Sequence, residues 1–264
     1  MNQFLVLVIL CQQNNNFDIT KGNHKIYCTV YTFDSKARTD TIMEQVPFLI
    51  QRINFSTTFM VFDLFAVFMF ASSGALSAIR KKYDIVGVFM LAFVSGLGGG
   101  LIRDAIFIQT GPPKAVTDGN YLLVIIAAFI LVMLFHGKFN KLKRPILIVD
   151  ALGLGAYGVV GSQAALQAHL VPLAAILVGV FNAIGAGLIR DVLIREEPII
   201  FKPGQFYALA AIVGCSLYVS LVTVAETNVT LSAITATSIA FIIRLLSVKF
   251  NWQTKPIEKE DKPS

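Results

Sequence analysis

From Thr57 almost to its end the chain is a succession of apolar runs of about twenty residues, separated by short polar loops. Hydrocarbon offers no water to the backbone N–H and C=O groups, so a spanning segment must be a helix or a strand of a closed barrel. Barrel strands alternate apolar and polar residues over roughly ten positions. The runs here are continuous, and helices are required. Seven are expected, over residues 57–79, 84–109, 120–136, 145–167, 170–195, 204–223 and 229–248. The fold class is therefore an all-α membrane protein with seven transmembrane helices. Charged residues make up 14% of the 264 positions, against about a quarter in a soluble domain, which excludes a water-soluble enzyme.

The second and fifth of these helices are unusual. Gly96-Leu97-Gly98-Gly99-Gly100 interrupts one and Gly185-Ala186-Gly187 the other, and each is followed by Leu-Ile-Arg-Asp. Sliding the sequence against itself by 87 positions aligns Asp63 with Asp150, Gly74 with Gly161, Ser95 with Asn182, Gly98 with Gly185 and Arg103-Asp104 with Arg190-Asp191, without a gap. The chain thus holds two homologous units of three helices. Three is odd, so the second enters the membrane with opposite polarity, giving a 3+3 inverted-topology repeat with a seventh helix appended. The expected divisions are a polar N-terminal extension at 1–56, a first repeat at 57–143, a second at 144–226, the seventh helix at 227–248 and a tail at 249–264.

Within the extension the apolar run Phe4 to Cys11 is too short to span, and no Lys or Arg precedes it as in a signal peptide. Translation from Met43 or Met60 is the alternative reading. Basic residues set the orientation. Arg80, Lys81, Lys82, Lys138, Lys141, Lys143, Arg144, Arg195 and Lys202 lie in odd-numbered loops, and Lys249, Lys255, Lys259 and Lys262 in the tail, whereas the opposite face has Lys114 and Arg52. The positive-inside rule then places the N-terminus outside and the C-terminus in the cytoplasm.

Inverted repeats usually build their site near mid-membrane, on discontinuous helices. Clustered glycines favour a break there, so the second and fifth helices are expected to be broken at Gly98, Gly99 and Gly100 and at Gly185 and Gly187. Simple close packing of small residues is the plainer alternative. Ser95 and Asn182, just before the glycines, are candidates for contact with a permeating ion or solute. Asp63, Arg103, Asp104, Asp150, Arg190 and Asp191 are ionisable groups in apolar context, which normally pair or line water. Asp63 is expected to pair with Arg103 and Asp150 with Arg190, leaving Asp104 and Asp191 for a second bond or the path itself. Ser72, Ser73 and Ser77 remain ambiguous, and Arg244, near a helix end, is expected to snorkel to the interface.

Cys11, Cys28 and Cys215 have no CxxC spacing, and His24, His136 and His169 are scattered; no metal site is expected. Neither a Walker A motif nor HExxH, GxSxG, a dinucleotide-binding glycine pattern or TVGYG occurs. A chain of this kind is expected to be no enzyme, to need no cofactor and to work without ATP.

The stretch Phe65-Ala66 through Ser73-Gly74-Ala75-Leu76-Ser77-Ala78, then Arg80-Lys81-Lys82-Tyr83-Asp84, Gly98-Gly99-Gly100-Leu101-Ile102-Arg103-Asp104 and Pro112-Pro113 resembles the bacterial TRIC (trimeric intracellular cation channel) family, whose duplicated domain is also called the glycine transporter domain. The similarity covers about residues 58–248 and recurs at Gly185-Ala186-Gly187-Leu188-Ile189-Arg190-Asp191. The resemblance implies a homotrimer of seven-helix protomers, each with its own hydrophilic pore lined by kinked second and fifth helices, conducting monovalent cations, chiefly potassium. Ala186, where the first repeat has Gly99, and the N-terminal extension depart from the family pattern. The expected function is a potassium channel of the bacterial inner membrane, with membrane lipids and its own copies as partners and no nucleic acid. The alternatives are a secondary transporter of a small solute such as glycine and a scaffold without transport.

Overall fold

The computed structural model describes residues 39–109, 111–138, 142–201 and 206–252, with side chains from Thr57 onward. The segment holding Cys11 and Cys28 lies outside these residues. The long helices are α1 (Thr39–Arg80), α2 (Ile85–Ile102), α4 (Gly119–Phe135), α5 (Lys143–Gln167), α6 (Pro172–Leu193), α7 (Tyr207–Thr223) and α8 (Val229–Lys249), with a four-residue α3 (Lys114–Thr117) ahead of α4. Residues from Asn54 form a compact unit of their own.

Among the described residues five stretches are long and apolar enough to cross a membrane: Thr57–Arg80, Ile85–Ile108, Lys143–Gln167, Pro172–Leu193 and Val229–Lys249. The expected third and sixth spans are shorter, α4 and α7 having 17 residues each. At 1.5 Å per residue they cover about 25 Å, the low end of what hydrocarbon requires. The first helix starts at Thr39, well before the expected boundary at 57.

Local chemistry explains the ends. Asp84 caps α2 by accepting from the Gly87 N–H at 2.8 Å, Asn228 caps α8 by accepting from Thr230 and Leu231, and Pro172 opens α6 at a position where its missing N–H costs nothing. Two ends keep the repeat's signature. After α1 and after α5 the chain turns through Lys82 (φ 60°) and His169 (φ 59°), which are 87 positions apart. In both turns a returning bond closes the last carbonyls, Tyr83 N–H to the Ala78 carbonyl and Leu170 N–H to the Ala165 carbonyl.

Helix α2 packs on α4 and α6, α6 also contacts α5 and α7, and α8 rests on α5 and α7. Val67, Phe70, Ala71, Leu91, Ala92, Ile125 and Ala128 form the core among the first helices. Leu123, Leu134, Leu173 and Leu177 are exposed, while Arg103, Arg190 and Arg244 are among the largest fully buried side chains. This inverts the order of a soluble protein. Apolar contact with lipid costs nothing, so packing of small residues and internal polar pairing must hold the helices together.

The expected breaks at the glycines are corrected by the structure. The backbone stays helical through Gly96–Gly100 and Gly185–Gly187. What the glycines supply is closeness between α2 and α6. A Cβ on Gly98 would lie 3.0 Å from the Ile189 side chain, and one on Gly185 would lie 2.6 Å from Ile102, the same pair of positions exchanged between the repeats. The departure from α geometry falls just downstream, in a π-helical stretch over Arg103–Ile108. Its counterpart, Arg190–Arg195, is α-helical as far as Leu193 and then turns.

Candidate functional site

Each Leu-Ile-Arg-Asp sequence ends a helix with a buried guanidinium. In the first repeat Arg103 Nη1 lies 3.2 Å from Asp63 Oδ2 of α1. Its Nε donates to Asp104 Oδ1 at 2.6 Å and its Nη2 to Asp104 Oδ2 at 3.2 Å, a forked contact between neighbours in sequence. Tyr121 of α4 donates its hydroxyl to the same Asp63 Oδ2 at 2.6 Å. Asp104 also accepts the Lys114 backbone N–H at 3.1 Å, which ties the entry of α3 to the cluster.

The second repeat repeats the plan with different supporting residues. Arg190 Nη1 donates to Asp150 Oδ1 at 2.6 Å, and Nε donates to Asp191 Oδ1 at 2.9 Å. Asp191 Oδ2 accepts the Ile199 N–H at 3.2 Å, the counterpart of the Lys114 contact. In place of a tyrosine, Ser73 of α1 accepts from Arg190 Nη1, a bond between the repeats. Arg244 of α8 adds a second guanidinium, over the Tyr207 ring at 4.9 Å. Arg244 is 1% exposed, so the expected snorkelling is corrected: its surroundings are α7 and the second repeat's cluster, and its head stays inside the protein.

Between the clusters lies the crossing of α2 and α6. Ser95 and Asn182 are both fully buried. Ser95 Oγ and Asn182 Oδ1 make no protein hydrogen bond, while Asn182 Nδ2 donates to the Tyr157 carbonyl at 2.6 Å. Each faces a glycine of the preceding helix: a Cβ on Gly74 would sit 2.6 Å from Ser95 Oγ, and one on Gly161 would sit 2.6 Å from Asn182 Cβ. Tyr157 stacks on Phe70, with ring centroids 5.3 Å apart, and donates its hydroxyl to the Gly96 carbonyl. Gly99 makes room for this, since a Cβ there would lie 2.4 Å from the Asn182 carbonyl and 2.9 Å from the Tyr157 ring. Gly100 and Gly187 sit closer to the charges: a Cβ on Gly100 would lie 3.8 Å from Arg103 Nη2, and one on Gly187 would lie 2.7 Å from the Tyr207 hydroxyl.

The structure therefore brings Asp63, Arg103 and Asp104 together, and separately Asp150, Arg190 and Asp191, with Ser95, Asn182 and the glycines at the crossing between. Tyr121, Tyr157 and Tyr207 join these sites without belonging to the repeated glycine or Arg-Asp motifs. A signal existed for one of them, because Phe70 and Tyr157 stand 87 positions apart and their stacking places them where the repeats meet. Tyr121 has no tyrosine counterpart at that offset, where Ala208 stands.

Comparison with known proteins identifies this plan. A family model described as "Glycine transporter" matches residues 60–137 and again residues 147–223, the two matches starting 87 residues apart. A UPF0126 membrane protein of Deinococcus radiodurans is 35% identical over 58% of this chain and 71% of its own length. The UPF0126 inner membrane protein YadS of Escherichia coli is 30% identical over 72% of this chain and 91% of its own. The solved TRIC trimeric intracellular cation channel orthologue of Rhodobacter sphaeroides superposes with a TM-score of 0.70 at 31% identity, covering 74% of this chain and all of that one. The chain belongs to the TRIC family. It is a multi-pass membrane protein with the glycine transporter domain present twice.

Seen in a TRIC-family protein, the two clusters have a definite chemistry. A bare guanidinium beside a path repels cations. Here each is flanked by two carboxylates, and that arrangement presents oxygen atoms and carries no excess positive charge from the arginine of the motif. Outside the spanning segments, the loop after α6 is fastened to the end of α1. Glu196 accepts from Arg80 Nη2 at 2.7 Å and lies 2.8 Å from Lys81 Nζ. Partial burial by itself would raise the Glu196 carboxyl, but the two cations hold it below its ordinary value.

Proposed function

We propose that this chain is a channel subunit that conducts monovalent cations, chiefly potassium, down their gradient along a path within the protomer at the crossing of α2 and α6. The observation that carries the reading is the pair of unsatisfied, fully buried oxygens of Ser95 and Asn182, on the sides of α2 and α6 that face α1 and α5 beside that crossing, together with two arginines neutralised by carboxylates. Buried polar oxygens without protein donors suit a hydrated or partly stripped cation better than they suit lipid or packing. Likeness to solved TRIC channels supports a cation as the cargo and a homotrimer as the assembly. Naming of a relative as an inner membrane protein supports that location, and the loop charges favour an outside N-terminus and a cytoplasmic C-terminus. In this reading there is no catalysis and no cofactor; the permeant ion is the only small partner besides lipid.

The name of the matched domain favours a second reading, a secondary transporter of a small solute such as glycine. Planar-bilayer recording under a potassium gradient separates the two. Discrete openings that reverse near the potassium potential, and that are reduced in Ser95→Ala and Asn182→Leu, are the expected result. Electrical silence together with saturable glycine uptake in liposomes would replace the channel by a carrier.

A further inference from the structure

The two arginine clusters are built from the same motif but do not balance. The second holds Arg190 and, on α8 beyond the repeats, Arg244, against Asp150 and Asp191; Arg244 is within electrostatic reach of Asp150. Two positive groups meet two negative ones. The first holds Arg103 against Asp63 and Asp104, and among the described residues no other cation lies within ion-pair distance of either carboxylate. Lys114 contributes its backbone N–H to Asp104 and no ion pair. One negative charge is left over.

The surplus has an address. Asp63 is 3% exposed. Its Oδ2 takes both Arg103 and the Tyr121 hydroxyl, while its Oδ1, also buried, receives no protein hydrogen bond. A buried carboxylate oxygen without a donor, in a cluster where one arginine faces two carboxylates, is costly to hold, and it draws in a cation or a proton. We infer that the first repeat holds a monovalent cation against Asp63 Oδ1, a bound counter-ion that completes the cluster as Arg244 completes the second.

A divalent ion is disfavoured by the donor set. Calcium takes about six to eight oxygens, with several carboxylates among them, and no group of three or more carboxylate, His or Cys side chains converges here among the described residues. A single surplus charge matches a potassium-sized ion completing its shell with water or carbonyls. The site goes beyond the conduction reading and does not need it, since a carrier with the same cluster would bind the ion equally.

The test is equilibrium binding to the whole purified protein in detergent, read as thermal stability while potassium replaces N-methylglucamine at constant ionic strength. Between about 1 and 300 mM potassium the midpoint should rise by about 3 °C or more in the unaltered chain. In Asp63→Asn, which leaves Arg103 balanced by Asp104 alone, that rise should disappear. In Arg244→Met, which unbalances the second cluster in the same sense, it should grow. A flat response in the unaltered chain, or a full response in Asp63→Asn, overturns the inference. So does a midpoint that follows pH between about 5 and 8 and ignores potassium, because the surplus would then be met by a proton. If Asp63→Asn does not fold, crystals of the unaltered protein in rubidium decide: an anomalous peak within about 3 Å of Asp63 Oδ1 supports the site, and its absence overturns it. None of these readouts involves current, so failure here and failure of the channel reading are distinguishable.

Discussion

Arg190 makes three kinds of contact with one head group: Asp150 on α5, Asp191 beside it on α6 and Ser73 on α1. Removing it strands two carboxylates in the interior, so Arg190→Met should cost about 3–5 kcal/mol, measured by thermal or denaturant unfolding in detergent. Arg190→Lys should recover only part of this, because an ammonium has the charge but not the fork that reaches separate acceptors. Full recovery with lysine would mean that charge alone, without geometry, holds the cluster. The partners at this scale were half legible in the sequence. Asp63 and Asp150 announced themselves because a lone Asp in an apolar run at the repeat offset has few reasons to exist. Ser73, Tyr121 and Tyr207 gave no such signal: hydroxyl side chains are common in membrane helices, and what they reach depends on which helix lies opposite.

At the level of elements, the glycines divide into those that another helix touches and those that it does not. Gly99 is of the first kind, with the Asn182 carbonyl 2.4 Å and the Tyr157 ring 2.9 Å from where a Cβ would stand. Gly100, one residue on, has nothing nearer than 3.8 Å. Gly99→Ala should therefore push α2 and α6 apart and lower both thermal stability and single-channel current. Gly100→Ala should be neutral or stabilise by up to about 1 kcal/mol through helix propensity. Equal tolerance at both positions would show that the crossing is loose. Glycine clusters in a membrane helix are read either as a break or as a contact surface, and composition does not choose between them. Here contact prevailed, because facing clusters on α2 and α6 let each helix seat the other's isoleucine.

For the molecule as a whole, the two repeats meet along the α2 and α6 crossing, at the Ser73 to Arg190 bond, and again where Arg80, the last residue of α1, and Lys81 after it hold Glu196 beyond α6. This last contact is half-exposed, so Glu196→Gln should cost less than about 1 kcal/mol near neutral pH. Its sign with pH follows from the lowered carboxyl. The folded state binds the proton less readily than the unfolded chain, so the contribution is present above the ordinary carboxylate range near 4.5 and is lost as pH falls below it. Melting curves from pH 7 to about 3.5 should converge for the original chain and Glu196→Gln at the acid end. A gap that persists at low pH would mean that the contact is not ionic.

The sequence by itself determined that this chain lives in a membrane as helices, that it carries one helical unit twice, and that each copy buries an Arg-Asp pair. Those properties are carried by run length, by the 87-residue offset and by the expense of charge in hydrocarbon, all of which are local or periodic. Only the tertiary structure decided that the glycine clusters stay helical, that Arg244 turns inward, and that Tyr121 serves one cluster while Ser73 serves the other. These are choices of partner across helices. Along a membrane helix every outward direction is equally apolar in sequence, so the identity of the neighbour becomes defined only when the helices pack.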